Sequence, residues 1–222
     1  MLQGKRVEIS LNNTAALINS RFIQILVGDH IFLHLLKFTR YIFAKLEVTR
    51  AGRFSSYSIA LGLVAYLVDA KVLSCADDLV KSIEPVQLVD EFCQKQWDYR
   101  LPLQVPFAWN CDSKQSAINI IIDHFTNFSS WLASQTEILD VRTGQSLDKK
   151  IFYEKYGMSD VTFKSGPINI VDPFEIEHNT TSQITQRSAF QVQKILKSIQ
   201  IKTKMKRLIG KALGKFGLCV TF

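Results

Sequence analysis

The run Ser58–Val68 reads Ser-Ile-Ala-Leu-Gly-Leu-Val-Ala-Tyr-Leu-Val and contains no charged residue. Wound into a helix, it has no polar side to offer to water. A helix of that kind sits in the middle of its domain, with other elements packed around it. Its apolar stretch, Ile59–Val68, is too short to span a bilayer. The surrounding chain must therefore supply apolar faces, and 47% hydrophobic residues in a 222-residue chain suffice for a sizeable core.

Those faces are visible on either side. Asn12 and Asn13 can cap a helix over Thr14–Leu26, closed by Gly28. Asp29 can cap the next, about His30–Glu47, with Phe32, Leu35, Leu36, Ile42 and Phe43 on its apolar side. Residues 77–95 are amphipathic, and 97–110 hold Pro102 and Pro106 and read as an irregular loop. Ser116–Ser134 carries Ile118, Ile121, Ile122, Phe125, Phe128 and Leu132 at helical spacing. Glu137–Leu147 reads as a strand pair turned at Thr143-Gly144, and Phe152–Met158 as an aromatic turn. Gln183–Ile199 reads as a further helix. Near the start, Val7, Ile9 and Leu11 alternate with Glu8 and Ser10, the pattern of a half-buried strand with a carboxylate on its open face. The fold class is mainly α, of α+β type.

The most chemically loaded stretch is Val171–Asn179: Val-Asp-Pro-Phe-Glu-Ile-Glu-His-Asn. It follows a short strand-like run, Pro167–Val171. Pro173 stops ladder pairing and biases Asp172 toward extended backbone. Asp172, Glu175 and His178 recur every third residue, so one helical turn would gather two carboxylates and an imidazole on one side. Such a group can sort the edges of a small ring by hydrogen bonding. Pattern alone fits equally a strand end, a Pro turn and a capped helix with solvated charges.

Charge is unevenly placed. The net +7 arises beyond His178, where nine Lys and Arg residues meet no Asp or Glu, leaving residues 1–177 at −2. Within that tail, Lys202–Phe216 sets Met205, Leu208, Ile209, Leu213 and Phe216 at helical spacing among the cations. A basic amphipathic tail suits RNA phosphates, an anionic membrane or a nuclear signal, or it is a solvated end. Cys75, Cys93, Cys111 and Cys219 form no ligand-like pair and read as buried thiols of a reducing compartment. Asn-x-Ser/Thr sequons begin at Asn12, Asn127 and Asn179, and Met1–Glu8 has no apolar signal region. These features predict an intracellular protein, cytoplasmic or nuclear, without a transmembrane segment and with a mitochondrial location left open.

Asp-Pro-Phe-Glu followed by His-Asn resembles the late signature of the terminal uridylyltransferases and non-canonical poly(A) polymerases, template-independent RNA nucleotidyltransferases of the polymerase-beta superfamily. Further matches run in the family's order: Val7–Asn13, Ala16 with Asn19, Leu35-Leu36-Lys37, Ser55-Ser56-Tyr57 and Val141-Arg142-Thr143-Gly144. The resemblance implies a division into residues 1–12, a residual strand of the catalytic domain; 13–200, a central helical and PAP-associated domain; and 201–222, the basic tail. It implies that Glu8 stands where the third of three metal-binding carboxylates belongs, usually an Asp, and so is the surviving catalytic and metal-ligand candidate for Mg²⁺ or Mn²⁺. The other two carboxylates, in an Asp-x-Asp after a Gly-Ser turn, are absent from the sequence, so the chain is expected to be incomplete or inactive as given.

The resemblance further implies a nucleotide site. Asn19 would hold the ribose, Lys37 and Ser56 the phosphates, and Tyr57 would stack on the base. Asp172 and Glu175 would fix water or the imidazole, and His178 would select uridine. The family's second Lys, four residues after the first, is Tyr41 here; Arg40 is rotated by about 100° around the helix. The expected substrates are UTP (or ATP) and an RNA 3′ end, with the tail on RNA phosphates. A truncated transferase, an inactive nucleotide- or RNA-binding relative and an adenylating enzyme all remain compatible with the sequence.

Overall fold

A computed structural model describes residues 13–45, 47, 49, 54–73, 76–81, 83, 120, 123–124, 127–128, 130–131 and 136–199. Glu8 and its strand, all four cysteines, the 97–110 loop and the basic tail lie outside these residues.

Helix α1, Thr14–Gly28, begins where expected: the Asn13 side chain accepts from the Ala16 amide. Helix α2, His30–Lys45, starts likewise, with the Asp29 carboxylate accepting from the Phe32 amide. Helix α3, Ser56–Asp69, carries the all-apolar run, and Ser55 is its N-cap. Its residues Ser58–Leu67 are buried without a break, as a central helix requires. Phe22, Leu26, Phe32, Ile42 and Phe43 from α1 and α2 pack into the same core with Leu61 and Val64. Helix α4, Ala76–Lys81, accounts for the start of the amphipathic stretch from 77. The described residues of 120–131 are helical, and Phe128 lies against Phe43 and Phe54.

A smaller unit follows. Strands β1, Glu137–Leu139, and β2, Ser146–Asp148, pair antiparallel with Ile138 opposite Leu147. The turn between them holds Gly144 at φ +74°. A Cβ there would lie 2.7 Å from the Ala65 carbonyl oxygen and 2.6 Å from the Asp69 amide, so the missing side chain lets the turn seat on the end of α3.

Two expectations are corrected here. The aromatic stretch expected to be a turn is helix α5, Lys149–Tyr156, capped by Asp148 and ended by left-handed Gly157. Its Phe152 joins Phe163 of α6, Asp160–Phe163, with Ile138 and Val171 in a second core. The strand expected over 167–171 shrinks to isolated bridges: Ile170 beside Leu139, parallel, and Val171 opposite Asn179, antiparallel. Helix α7, Gln186–Ile199, returns to the main core through Ala189 and Val192. No single described helix is long and apolar enough to cross a membrane; α1 and α2 pass that test only as a pair bent by 111°.

Candidate functional site

The site is built on the Pro-bent corner between Val171 and Asn179. The helical turn that the three-residue spacing would allow does not form. Asp172 instead turns its carboxylate onto the following backbone, where Oδ1 accepts from the amides of Phe174 at 2.9 Å and Glu175 at 3.4 Å. This side-chain turn takes the place of helical pairing. Two backbone bonds close the corner: Asp172 N–H to the His178 carbonyl at 3.0 Å, and His178 N–H to the Glu175 carbonyl at 2.8 Å. The two carboxylates and the imidazole still converge. His178 Nδ1 stands 3.6 Å from Asp172 Oδ2 and 4.0 Å from Glu175 Oε2. These are ion-pair distances and not formed hydrogen bonds.

Asp172 is fully buried, and a buried carboxylate needs donors. It finds them on α1 and α3. Asn19 Nδ2 donates to Asp172 Oδ2 at 3.2 Å, which fixes the amide's orientation because an ionised carboxylate only accepts. Asn19 Oδ1 then faces Tyr57 and accepts from its hydroxyl at 2.8 Å; Asp172 Oδ2 lies 3.3 Å from the same hydroxyl. The residues span 38 and 115 positions of sequence, so the packing of the corner against α1 and α3 brings them together.

The electrostatics follow from this geometry. Burial, with the Asp172 charge and hydrogen bond adding to it, raises the Tyr57 phenol far above its ordinary value, so it remains a proton donor. The Asp172 carboxylate, then Glu175, raise His178 above 6.5 against partial burial and the opposing charge of Lys164. His178 and Glu175 are half exposed while Asp172 is not.

The corner is anchored from three directions. Arg142 Nε donates to the Pro173 carbonyl at 2.6 Å, and its Nη1 lies 3.8 Å from Asp77. Phe174 meets Phe22 of α1 edge to face, with centroids 5.4 Å apart. Asn179 is buried and saturated: Oδ1 accepts from Ile170 N, Thr181 N and Thr181 Oγ1, while Nδ2 donates to Asn169 Oδ1 at 3.0 Å. Its sequon is thus internal to the fold. The sequence offered signals for all three, an Arg beside a hairpin glycine, a Phe after Pro and an Asn after His, but none for what each would touch.

Of the expected site residues, Asn19, Tyr57, Asp172 and His178 form one cluster, and Glu175 borders it. Ser56 is exposed on the first turn of α3, next to Tyr57. Lys37 is exposed on α2 and makes no hydrogen bond or ion pair with the cluster among the described residues. Glu8 lies outside the described residues. No group of three or more His, Cys, Asp or Glu among the described residues could hold a metal ion, so the Mg²⁺ or Mn²⁺ implied by the resemblance finds no fitting ligand set there.

A groove of about 800 Å³ runs along the outer side of the corner, between Thr162–Lys164 and Phe174–His178. Neither Asn19, Tyr57 nor Asp172 lines it, so His178 stands where the buried cluster meets open space.

No protein-family model matches the chain. Among curated proteins it is 25% identical over 243 residues to the speckle targeted PIP5K1A-regulated poly(A) polymerase of Danio rerio, across 96% of this chain and 29% of that protein. The same protein of Rattus norvegicus is 25% identical over 197 residues, across 86% and 22%. The chain therefore spans less than a third of the length of these relatives. Among solved structures, mtPAP in complex with GTP superposes with a TM-score of 0.58 at 14% identity, covering 90% of this chain and 41% of that one. RNA editing TUTase 1 from Trypanosoma brucei gives 0.55 at 14%, covering 84% and 39%. Structural likeness at this identity speaks for the fold, and the sequence similarity, which runs along most of this chain, points the same way. The chain is thus similar in sequence to poly(A) polymerases of this kind and shares the fold of the two solved enzymes.

Proposed function

We propose that this chain supplies the nucleotide-recognition half of a template-independent RNA nucleotidyltransferase that adds UMP from UTP to RNA 3′ ends. The observation that carries the reading is the convergence of Asn19, Tyr57, Asp172 and His178 from α1, α3 and the corner. In this reading the Tyr57 ring stacks on the base, held in plane by its hydroxyl's bond to Asn19. Asn19 lies beside the ribose, and Ser56 at the start of α3 contacts phosphate with the aid of the helix's unpaired amides. Lys37 adds phosphate charge from α2. Asp172 is spent on internal hydrogen bonds and acts by orienting His178, with Glu175 as the second carboxylate beside it. His178 reads the base edge.

Divalent-metal chemistry belongs in this reading to the assembled active centre, with Glu8 as this chain's candidate ligand, and the basic tail would hold RNA phosphates. The printed name of the sequence relatives, speckle targeted, favours a nuclear location. The same name, poly(A) polymerase, favours a second reading in which the base is adenine.

Competition between UTP and ATP for residues 1–222 tests both. Preferential displacement of a bound nucleotide by UTP supports uridylylation, and preferential displacement by ATP supports adenylation. Absence of binding by either removes the nucleotide site.

A further inference from the structure

His178 is the one member of the cluster that is both titratable near neutrality and half exposed. Its backbone is tied at both ends, N–H to Glu175 and C=O to Asp172, so the ring has a fixed base. Its Nδ1 edge faces two carboxylates, Asp172 at 3.6 Å and Glu175 at 4.0 Å. Among the described residues the remaining charged group acting on the ring is the Lys164 ammonium, which opposes them; Tyr57 stays protonated and Asn19 is uncharged. A neutral imidazole in this field keeps its single proton on Nδ1, next to the carboxylates. Nε2, on the far edge of the ring, is then a bare acceptor. Gaining a second proton makes that same atom a donor.

Resting on the nucleotide reading above, we propose that His178 is a reversible reader of the base edge, donating to a ring carbonyl when charged and accepting from a ring amine when neutral. Asp172 sets which nitrogen changes role. The base preference of the site thus depends on pH, and the relevant contrast is between bases that differ only in hydrogen-bond sense. Uracil and cytosine are such a pair: O4 of uracil accepts where N4 of cytosine donates, with ring size and triphosphate unchanged. Titration of the triphosphate cancels in their ratio.

The test is the dissociation constant of residues 1–222 for UTP and for CTP between pH 5.5 and 8.5, by calorimetry. The imidazole carbon–proton NMR signals of His178 are followed in parallel, assigned with H178N. The expected result is that preference for UTP over CTP weakens by about tenfold as pH rises, the worth of one hydrogen bond changing sense. The midpoint of that change should coincide with the NMR titration of His178, and H178N should flatten it. A flat UTP-to-CTP ratio in the native chain, or a midpoint away from the His178 titration, overturns the proposal while leaving the nucleotide site standing. Failure of both nucleotides to bind at every pH overturns the nucleotide site itself and this inference with it.

Discussion

At the scale of single residues, the cluster is organised by proton inventory. Asp172 brings only acceptors, Asn19 one donor group and one acceptor, and Tyr57 one proton that Asn19 Oδ1 and Asp172 Oδ2 share. Tyr57→Phe removes that proton and keeps the ring. The Asn19 carbonyl loses its donor and the buried carboxylate its weaker share of the same proton, so the variant should be less stable by about 1–2 kcal/mol in urea unfolding. On the proposed nucleotide reading it should still bind nucleotide, more weakly, because stacking survives. A Tyr57→Phe chain as stable as the native one would show that water replaces the hydroxyl. Sequence alone displayed Tyr57, Asn19 and Asp172 as separate, ordinary residues; the family resemblance grouped them. The reason is distance along the chain, since 115 positions between Tyr57 and Asp172 leave no local pattern to read.

At the scale of elements, what was legible was local. Asn13, Asp29 and Ser55 cap their helices as the sequence suggests, because a cap is a contact three residues long. The apolar run of α3 announced its burial. Helix α5 was missed because an aromatic cluster outweighed two punctuation marks, Asp148 before it and Gly157 after it, that a cap-first reading would have used. The three-residue spacing of Asp172, Glu175 and His178 allowed a helical turn as well as a Pro turn, and Asp172 decides between them by competing for the Phe174 and Glu175 amides.

Two predictions belong to this scale. Gly144→Ala combines a left-handed backbone with a clash against α3, and should lower stability by about 2 kcal/mol or more, read as a drop in melting temperature. Arg142→Gln removes the hold on the Pro173 carbonyl. Its expected signature is weaker UTP binding and a lowered NMR titration midpoint of His178, as the ring drifts from Asp172. Arg142→Lys should restore little, since one ammonium does not reproduce a guanidinium that spans Pro173 and Asp77. A change in melting temperature alone, with His178 unmoved, would count against a positioning role.

For the whole molecule, two histidines make stability depend on pH in separate windows. His124 is buried against Tyr66 and Phe128, and burial lowers it to about 3 from 6.5. The unfolded chain therefore binds a proton that the folded chain refuses between those values. Stability should fall on acidification from 6.5, with a slope approaching about 1.4 kcal/mol per pH unit. His178 works in the other sense. Its raised value means its contribution is fully present below 6.5 and disappears as pH climbs through the folded value, and its half exposure keeps that contribution small. Asp77, held below 3.8 by Lys81, loses its contribution only in stronger acid. Of these three described groups only His124 changes its contribution between pH 4 and 6.5, and His124→Phe, which keeps an aromatic ring there, should shallow the slope. An unchanged slope would place the acid sensitivity elsewhere.

The clamping of the corner between Arg142 and Phe22 also bears on how the site can diversify among descendants of this chain. A segment held at Pro173 from one direction and at Phe174 from another has no slack for an inserted or deleted residue. On the proposed nucleotide reading, new base preferences arise there by exchanging side chains at 175 and 178, whereas length variants should be purged as misfolded, so natural drift at this bend ought to be substitutional and never of length.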